Sequence, residues 1–209
     1  MIVDWLIQHP VFQVEIECND PETLEEYPYV RVYHNSYVKF LYNQFYYIRI
    51  PFVRWDEDFI TIRKLEKYDD AISLRFSGCY MAKFEDKFGN RYVSHIHVRH
   101  NNNMLNRFMR FCMAENYRRI TIFKPYAGDL FEYTQQMANL VGYYDKNAIG
   151  IFDGNYNCCS AYILNVVNEP DFKCICRIIQ HMNPLRIERV INLEQYHIAE
   201  NHYHVIYNR

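Results

Sequence analysis

One cysteine in this 209-residue chain has a histidine at a spacing that suits nucleophilic catalysis. Cys79 follows Ser77-Gly78, and His95 lies sixteen positions later. Free cysteine is mostly protonated at neutral pH, and a nearby imidazole can accept the thiol proton and later return it. Gly78 allows a sharp turn that would leave the next amide and side chain near open space. We therefore predict a thiol nucleophile at a corner of the backbone, with Gly78 and Ser77 as possible oxyanion-binding positions.

The residues around Cys79 predict two strands joined by a hairpin. Alternation from residue 71 to residue 77 predicts a core face and a polar face, formed respectively by Ile72, Leu74 and Phe76 and by Ser73, Arg75 and Ser77. The turn at residues 86–90 contains Gly89-Asn90 and is short enough to bring the next strand back beside the one after Cys79. Two strands of about six residues and a turn of about four account for the interval. His95 can therefore lie close to the sulfur.

The same residues resemble the catalytic hairpin of a known enzyme family. The pattern is Ser77-Gly78-Cys79, a strand, the turn Gly89-Asn90, then Tyr92 and His95. It is similar to the cysteine-dependent protein-glutamine deamidases, which include the catalytic domain of cytotoxic necrotizing factors, the Burkholderia lethal factor and the chemoreceptor glutamine deamidase. The resemblance covers residues 72–97. It implies a Cys79 nucleophile, a His95 base and a hydroxyl that orients the histidine, here Ser73.

Three residues depart from the family pattern. Ser73 stands where the relatives carry threonine, and bulky Tyr80 follows the cysteine where a smaller residue is common. His97 adds a second imidazole on the same face of the strand, which makes it a secondary candidate for the base. We prefer His95, because its distance from the Gly-Asn turn fits the family best.

Composition excludes several classes of partner. The chain has 23 Lys and Arg against 25 Asp and Glu, so it offers no electrostatic basis for binding nucleic acid or an anionic membrane. Residues 1–12 lack the pattern of a signal peptide, and we find no transmembrane run. Seven cysteines at irregular spacing indicate reduced thiols, so we expect a cytoplasmic protein as synthesised. The resemblance implies possible delivery to a host cell by a specialised secretion route.

Periodicity predicts one α+β domain spanning residues 1–209, with a mostly antiparallel β-sandwich core flanked by about two or three helices. Residues 1–60 read as mostly extended, with later strands at 118–123, 148–152 and 158–166. A helix is predicted from Asn102 or Asn103 to Cys112, and a second helix begins at Asp129. Residues 172–179 fit a strand or a short helix, and residues 202–207 fit a closing strand. The resemblance implies the same arrangement, a central β-sandwich with helices outside.

The resulting expectation is a cysteine hydrolase that converts a specific glutamine of a target protein to glutamate, without a cofactor or metal. The resemblance implies a toxin or effector, and a partner such as a host GTPase or translation factor. A transglutaminase or protease could use the same dyad, and an interaction or immunity protein could use the same scaffold. His95-x-His97 and His202-x-His204 leave a metal site open as a further alternative. The paired cysteines Cys158-Cys159 and Cys174-x-Cys176 fit core packing better than redox or metal chemistry.

Overall fold

The computed structural model describes residues 2–9, 11–43, 45–76, 78–98, 103–125, 147–155, 158–166, 173–177 and 207–208. Within these ranges the fold is α+β, with two sheets and two helices. All strand pairs are antiparallel except two. The predicted fold class is confirmed. Neither of the two helices is long and apolar enough to cross a membrane.

The elements follow one another in a strand-rich order. The helices are α1 (Ile2–Gln8) and α2 (Asn103–Ala114). The first nine strands are β1 (Val11–Cys18), β2 (Glu22–Thr23), β3 (Val30–Val32), β4 (Ser36–Asn43), β5 (Tyr46–Val53), β6 (Ile60–Leu65), β7 (Ala71–Phe76), β8 (Tyr80–Glu85) and β9 (Arg91–Ile96). The remaining strands are β10 (Arg118–Phe123), β11 (Asn147–Phe152), β12 (Cys158–Val166), β13 (Lys173–Arg177) and β14 (Tyr207–Asn208).

Most predicted elements are present, and α1 is an exception. Residues 1–60 are predicted to be mostly extended, with no helix among them, but residues 2–8 form a helix whose buried side chains are Ile2, Trp5 and Leu6. Their three- and four-residue spacing was a helical signal in a segment too short to show a clear period. Residues 173–177 form a strand, which decides between the two predicted alternatives. The predicted helix at Asp129 and residues 202–206 of the predicted closing strand lie outside the described residues.

The first sheet contains the strand that leads into Cys79. Its order is β1-β13-β12-β11-β7-β5-β4, and β4 pairs with β1 again, which returns the order to its start. The pair β5–β7 is parallel. Helix α1 packs on this sheet through Ile2, Trp5 and Leu6. One face of β7 therefore packs in the core around α1, and the opposite face packs in the cluster between the two sheets.

The second sheet contains the hairpin with the candidate histidines. Its order is β14-β10-β8-β9-β6-β3-β2, with only β3–β6 parallel. Helix α2 packs on one face of this sheet through an apolar stripe, in which the buried residues are Met104, Leu105, Phe108, Met109, Phe111 and Cys112. Because a helix covers one face, the other face is available to pack against the first sheet.

A buried cluster joins the two sheets and holds the candidate nucleophile. It draws residues from both sheets, namely Val53, Leu65, Ala71, Phe76, Cys79, Met81, Val93, Phe123 and Phe152. Alternation along β8 directs Tyr80 toward the α2 core, while Cys79 and Met81 face the cluster between the sheets. Tyr80 therefore does not cover the thiol, because its bulk lies on the opposite face of the sheet.

Candidate active site

The hairpin predicted to bring His95 near Cys79 is confirmed. Strands β8 and β9 pair from Tyr80 with Ile96 to Glu85 with Arg91, and Met81 lies opposite His95. The Asp86 carboxylate accepts hydrogen bonds from the amides of Phe88 and Asn90 at 2.8 and 2.9 Å, which closes the turn. Gly89 has φ 82, a conformation that glycine adopts without strain. The hydrogen bonds of this turn therefore fix the pairing of β8 with β9. In that pairing His95 lies two residues from the position opposite Cys79.

A β-bulge in β7 changes which side chains face this hairpin. Phe76 pairs with Ala148 and Ser73 with Gly150, so Leu74 and Arg75 both occupy the place opposite Ile149. The predicted grouping of Phe76 with the core residues Ile72 and Leu74 is therefore wrong. Phe76 instead joins Ser73 on the face toward the second sheet, where it packs in the cluster with Cys79. The extra residue in the strand is the physical reason, because it reverses the alternation beyond it.

Ser73 sets the tautomer of His95. Its Oγ lies 2.7 Å from His95 Nδ1 and 2.6 Å from the Val53 carbonyl oxygen. A carbonyl oxygen only accepts, so the single hydroxyl proton goes to Val53. His95 Nδ1–H must then donate to Ser73 Oγ, which leaves the lone pair of the neutral ring on Nε2. The predicted Ser73–His95 contact is present, and it points the basic nitrogen away from Ser73.

The His95 ring is held rigidly in an apolar environment. It stacks on Phe76 with ring centres 4.1 Å apart and planes 8° apart, and its residue is 1 % exposed. An alanine Cβ at Gly150 would lie 2.8 Å from the Phe76 ring, so glycine is needed there for this packing. Burial, with a smaller contribution from the charge of His97, lowers the pKa of His95 to about 3. The imidazole is therefore neutral at physiological pH.

His95 Nε2 is a buried acceptor that lacks a hydrogen-bond partner within the described part of the chain. Most buried polar atoms are paired, so an orphaned ring nitrogen on the hairpin face that also carries Cys79 is notable. The predicted contact between Cys79 and His95 is therefore not a hydrogen bond in this structure. His95 and Cys79 share one face of the β8–β9 hairpin and one buried layer, but the thiol has other partners.

The Cys79 thiol is more enclosed than its position after Gly78 predicted. Its residue is only 5 % exposed, because it packs in the cluster between the sheets, against which Trp55 also packs. Burial raises the pKa of the thiol, while hydrogen bonds from the Val98 backbone amide and the Trp55 indole and the positive charge of Lys124 act in the opposite direction. The resting group is a protonated thiol with two N–H groups nearby.

His97 is less suited to be the base. Its Nδ1 accepts a hydrogen bond from the Asp58 amide at 2.9 Å, so the proton of the neutral ring is on Nε2. Burial lowers the pKa of His97, which keeps the ring neutral. Its ring meets Trp55 edge to face with centres 5.5 Å apart. The free nitrogen of His97 is therefore a donor, whereas that of His95 is an acceptor, which favours His95 for taking a thiol proton.

The corner before Cys79 does not depend on special glycine geometry. Gly78 lies outside the left-handed region, and an added Cβ would meet no atom within 4 Å. The special backbone freedom that the sequence analysis attributes to Gly78 is not used, since an ordinary residue could adopt this backbone. Open space at Gly78 does leave room beside Cys79 for a bound group. Ser77, the other predicted corner residue, lies outside the described residues.

The described residues contain no group of three His, Cys, Asp or Glu side chains arranged to hold a metal ion. His95 and His97 point to different partners, Ser73 and Asp58. His202 and His204 lie outside the described residues, and so do the side chains of Cys159, Cys174 and Cys176. Cys18, Cys79 and Cys112 are free thiols.

Three contributors to the site were missed in the sequence. Trp55 follows β5, Lys124 follows β10, and the Val98 amide follows β9, so all three lie just beyond strand ends. Burial lowers the pKa of Lys124, and the neighbouring Cys79 partly reverses this. Trp55 and Lys124 lie 24 and 45 positions from Cys79, and only the pairing of the sheets brings them together. A single tryptophan or lysine at a strand end carries no distinguishing signal.

We expect Ser73→Ala to reduce turnover by about ten- to a hundredfold, the loss of one orienting hydrogen bond worth about 1 to 3 kcal/mol. Without the hydroxyl, His95 Nδ1–H loses its acceptor and the tautomer is no longer set. The ¹⁵N chemical shifts of His95 should show an unprotonated Nε2 in the wild type and a mixture in the variant. Ser73→Thr keeps the hydroxyl and should retain both the tautomer and most of the activity. An alanine variant with the wild-type tautomer and full activity would contradict this role.

Comparison of the chain with protein-family models, with curated proteins and with solved structures finds no match.

Proposed function

We propose that this protein is a cysteine hydrolase that converts a glutamine side chain of a target protein to glutamate. The observation that carries the proposal is the Ser73–His95 hydrogen bond, together with the bond from Ser73 to Val53. It leaves a basic Nε2 with no partner in the described part of the chain, on the face of the hairpin that also carries Cys79. A buried acceptor beside a thiol suits the transfer of one proton.

The reaction begins when the Cys79 side chain turns from Trp55 and the Val98 amide toward His95. Its sulfur bonds to the carboxamide carbon as His95 Nε2 accepts the thiol proton. Burial raises the pKa of the thiol and lowers that of His95, so a separated thiolate and imidazolium are disfavoured in this site. Proton transfer therefore accompanies attack on the carbon. His95 then gives this proton to the amide nitrogen, which leaves as ammonia as the carbonyl re-forms and a thioester results. Water attacks the thioester as the same nitrogen accepts one of its protons. The carbon–sulfur bond then breaks, sulfur takes up that proton, and glutamate and the Cys79 thiol are formed.

The N–H groups near the resting thiol are suited to a role in the reaction. The Trp55 indole and the Val98 amide lie close enough to Cys79 to lower the pKa of its thiol. When the sulfur moves to His95, these donors are free to bind the oxygen of the carboxamide, on which negative charge develops. The Lys124 charge lies near the same place and would stabilise that oxyanion. Donors that are fixed in advance require little reorganisation during the reaction.

The enclosure of the thiol favours a side-chain amide over a backbone amide. Cys79 is 5 % exposed, at the bottom of a layer between two sheets. A glutamine carboxamide stands on a flexible two-carbon stem and can enter such a site, whereas a backbone amide requires the main chain of the target to enter with it. This favours deamidation over proteolysis by the same dyad.

The proposal is tested by incubating a cell lysate with the protein and mapping modified glutamines by mass spectrometry. We expect one or a few glutamines to gain the mass difference between glutamine and glutamate, with release of ammonia. A biotin-tagged primary amine in a parallel sample would be incorporated by a transglutaminase, and new peptide ends would indicate a protease. Unchanged glutamines in every sample would indicate a binding module and overturn the proposal.

A further inference from the structure

A cleft opens beside the candidate site, on the other side of Trp55. Its volume is about 370 Å³, within the range of about 300 to 1,000 Å³ typical of ligand pockets. Its lining combines apolar and charged groups, namely Ile16, Phe52, Arg54, Trp55, Asp56, Glu57, Leu74 and Arg75. Trp55 borders the cleft, and its indole also lies near enough to Cys79 to lower the pKa of that thiol. A chain bound in this cleft would therefore contact the same tryptophan that neighbours the thiol.

The β-bulge that sets the Phe76 ring also shapes this cleft. Leu74 and Arg75 share the position opposite Ile149, and both line the cleft rather than pointing to opposite faces of the sheet. Arg75 has φ 65, which is uncommon for a residue with a side chain. Strained backbone of this kind persists where surrounding structure enforces it, and it is concentrated at binding and catalytic sites. The same β-bulge therefore places Phe76, which stacks on His95, on one face of the sheet and Arg75 in the cleft.

The charges of the cleft leave Arg75 available. Asp56 is held by Arg31 at 3.2 Å and by Arg54 at 3.4 Å, so these opposite charges are paired with each other. Arg75 makes no hydrogen bond or ion pair with any residue in the described ranges, Glu57 included. Its guanidinium is exposed at the cleft. A planar guanidinium binds a carboxylate with two parallel hydrogen bonds, which gives direction as well as attraction.

We propose that this cleft binds the target segment next to the reactive glutamine, with Arg75 pairing to an acidic side chain and Leu74, Ile16 and Trp55 receiving an apolar neighbour. This inference rests on the proposed function and extends it to the class of substrate. The target is then a protein whose glutamine lies in a segment that carries both an acidic and an apolar residue. Arg75 is a specificity-determining residue, remote from the bonds that break and form.

The test is a selection from a random-sequence peptide library with one fixed glutamine, using full-length protein with Cys79→Ser so that bound peptides are retained. We expect Asp and Glu near the glutamine to be enriched by about tenfold over the starting library. Adding Arg75→Glu should remove that enrichment and favour Lys and Arg instead. Arg75→Gly should also lose the acidic preference while folding well, because glycine adopts φ 65 without strain.

The matched control is Arg110→Glu, the same charge change at an exposed residue of α2. It should leave the acidic preference intact, because it lies outside the cleft. A pool without acidic enrichment, or one that Arg75→Glu does not alter, would overturn the inference. Enriched acidic peptides that wild-type protein binds but never deamidates would leave the cleft inference standing and contradict the proposed function. Deamidation without any acidic preference would contradict the cleft inference alone.

Discussion

Cys79→Ser is expected to abolish deamidation, with residual turnover below detection, while the fold and its thermal stability remain close to wild type. The exchange replaces sulfur by oxygen in a nearly isosteric side chain, so the cluster between the sheets should pack as before. A serine hydroxyl is a far weaker nucleophile than a thiol, because it holds its proton much more tightly. Ammonia release measures the loss of deamidation, and near-ultraviolet circular dichroism measures whether the fold is retained.

Cys18→Ser is the matched control for the loss of a thiol. Cys18 is half-buried at the end of β1, where burial raises its pKa as it does that of Cys79. Its replacement should leave ammonia release near the wild-type rate. Equal loss of activity in both variants, with unchanged circular dichroism, would show that Cys79 has no special role.

The folded protein should lose stability steadily as the pH falls below 6.5, because His95 is buried as a neutral ring. In the unfolded chain His95 binds a proton near its ordinary pKa of 6.5, whereas in the folded chain it does so only near 3. Between these values the unfolded state holds more protons, so acid favours unfolding. His95 alone should lower the free energy of unfolding by about 2 kcal/mol between pH 6.5 and 5. The total loss should reach about 5 kcal/mol once the ring is protonated in the folded state as well. His97 acts in the same direction.

Urea unfolding at pH 7, 6 and 5 measures this effect above the range where most carboxylates titrate. His95→Gln should reduce the slope of stability against pH. A direct check uses the wild type alone, since the NMR signals of His95 should not titrate between pH 7 and 5. A His95 that titrates near pH 6.5 would show that water reaches the ring and that the site is open.

The hairpin and its chemical residues could be predicted from the sequence because local interactions determine them. The Asp86 to Asn90 turn fixes the pairing of β8 and β9 through contacts within five residues. Alternation then places Cys79 and His95 on one face. The helical stripe of α2 is equally local, with a period that is visible in the printed chain. The fold class follows from the number of such elements.

The ring contact of His95 and the enclosure of the Cys79 thiol depend on tertiary structure. Alternation predicts a regular β7, but its pairing with β11, more than seventy residues later in the chain, inserts the bulge that turns Phe76 onto His95. Packing between the sheets encloses the thiol that the sequence placed near open space. These features depend on contacts between residues far apart in the chain, and no local period encodes them. The sequence by itself determined which residues could react, while the packing of two sheets decided their protonation, their partners and the cleft beside them.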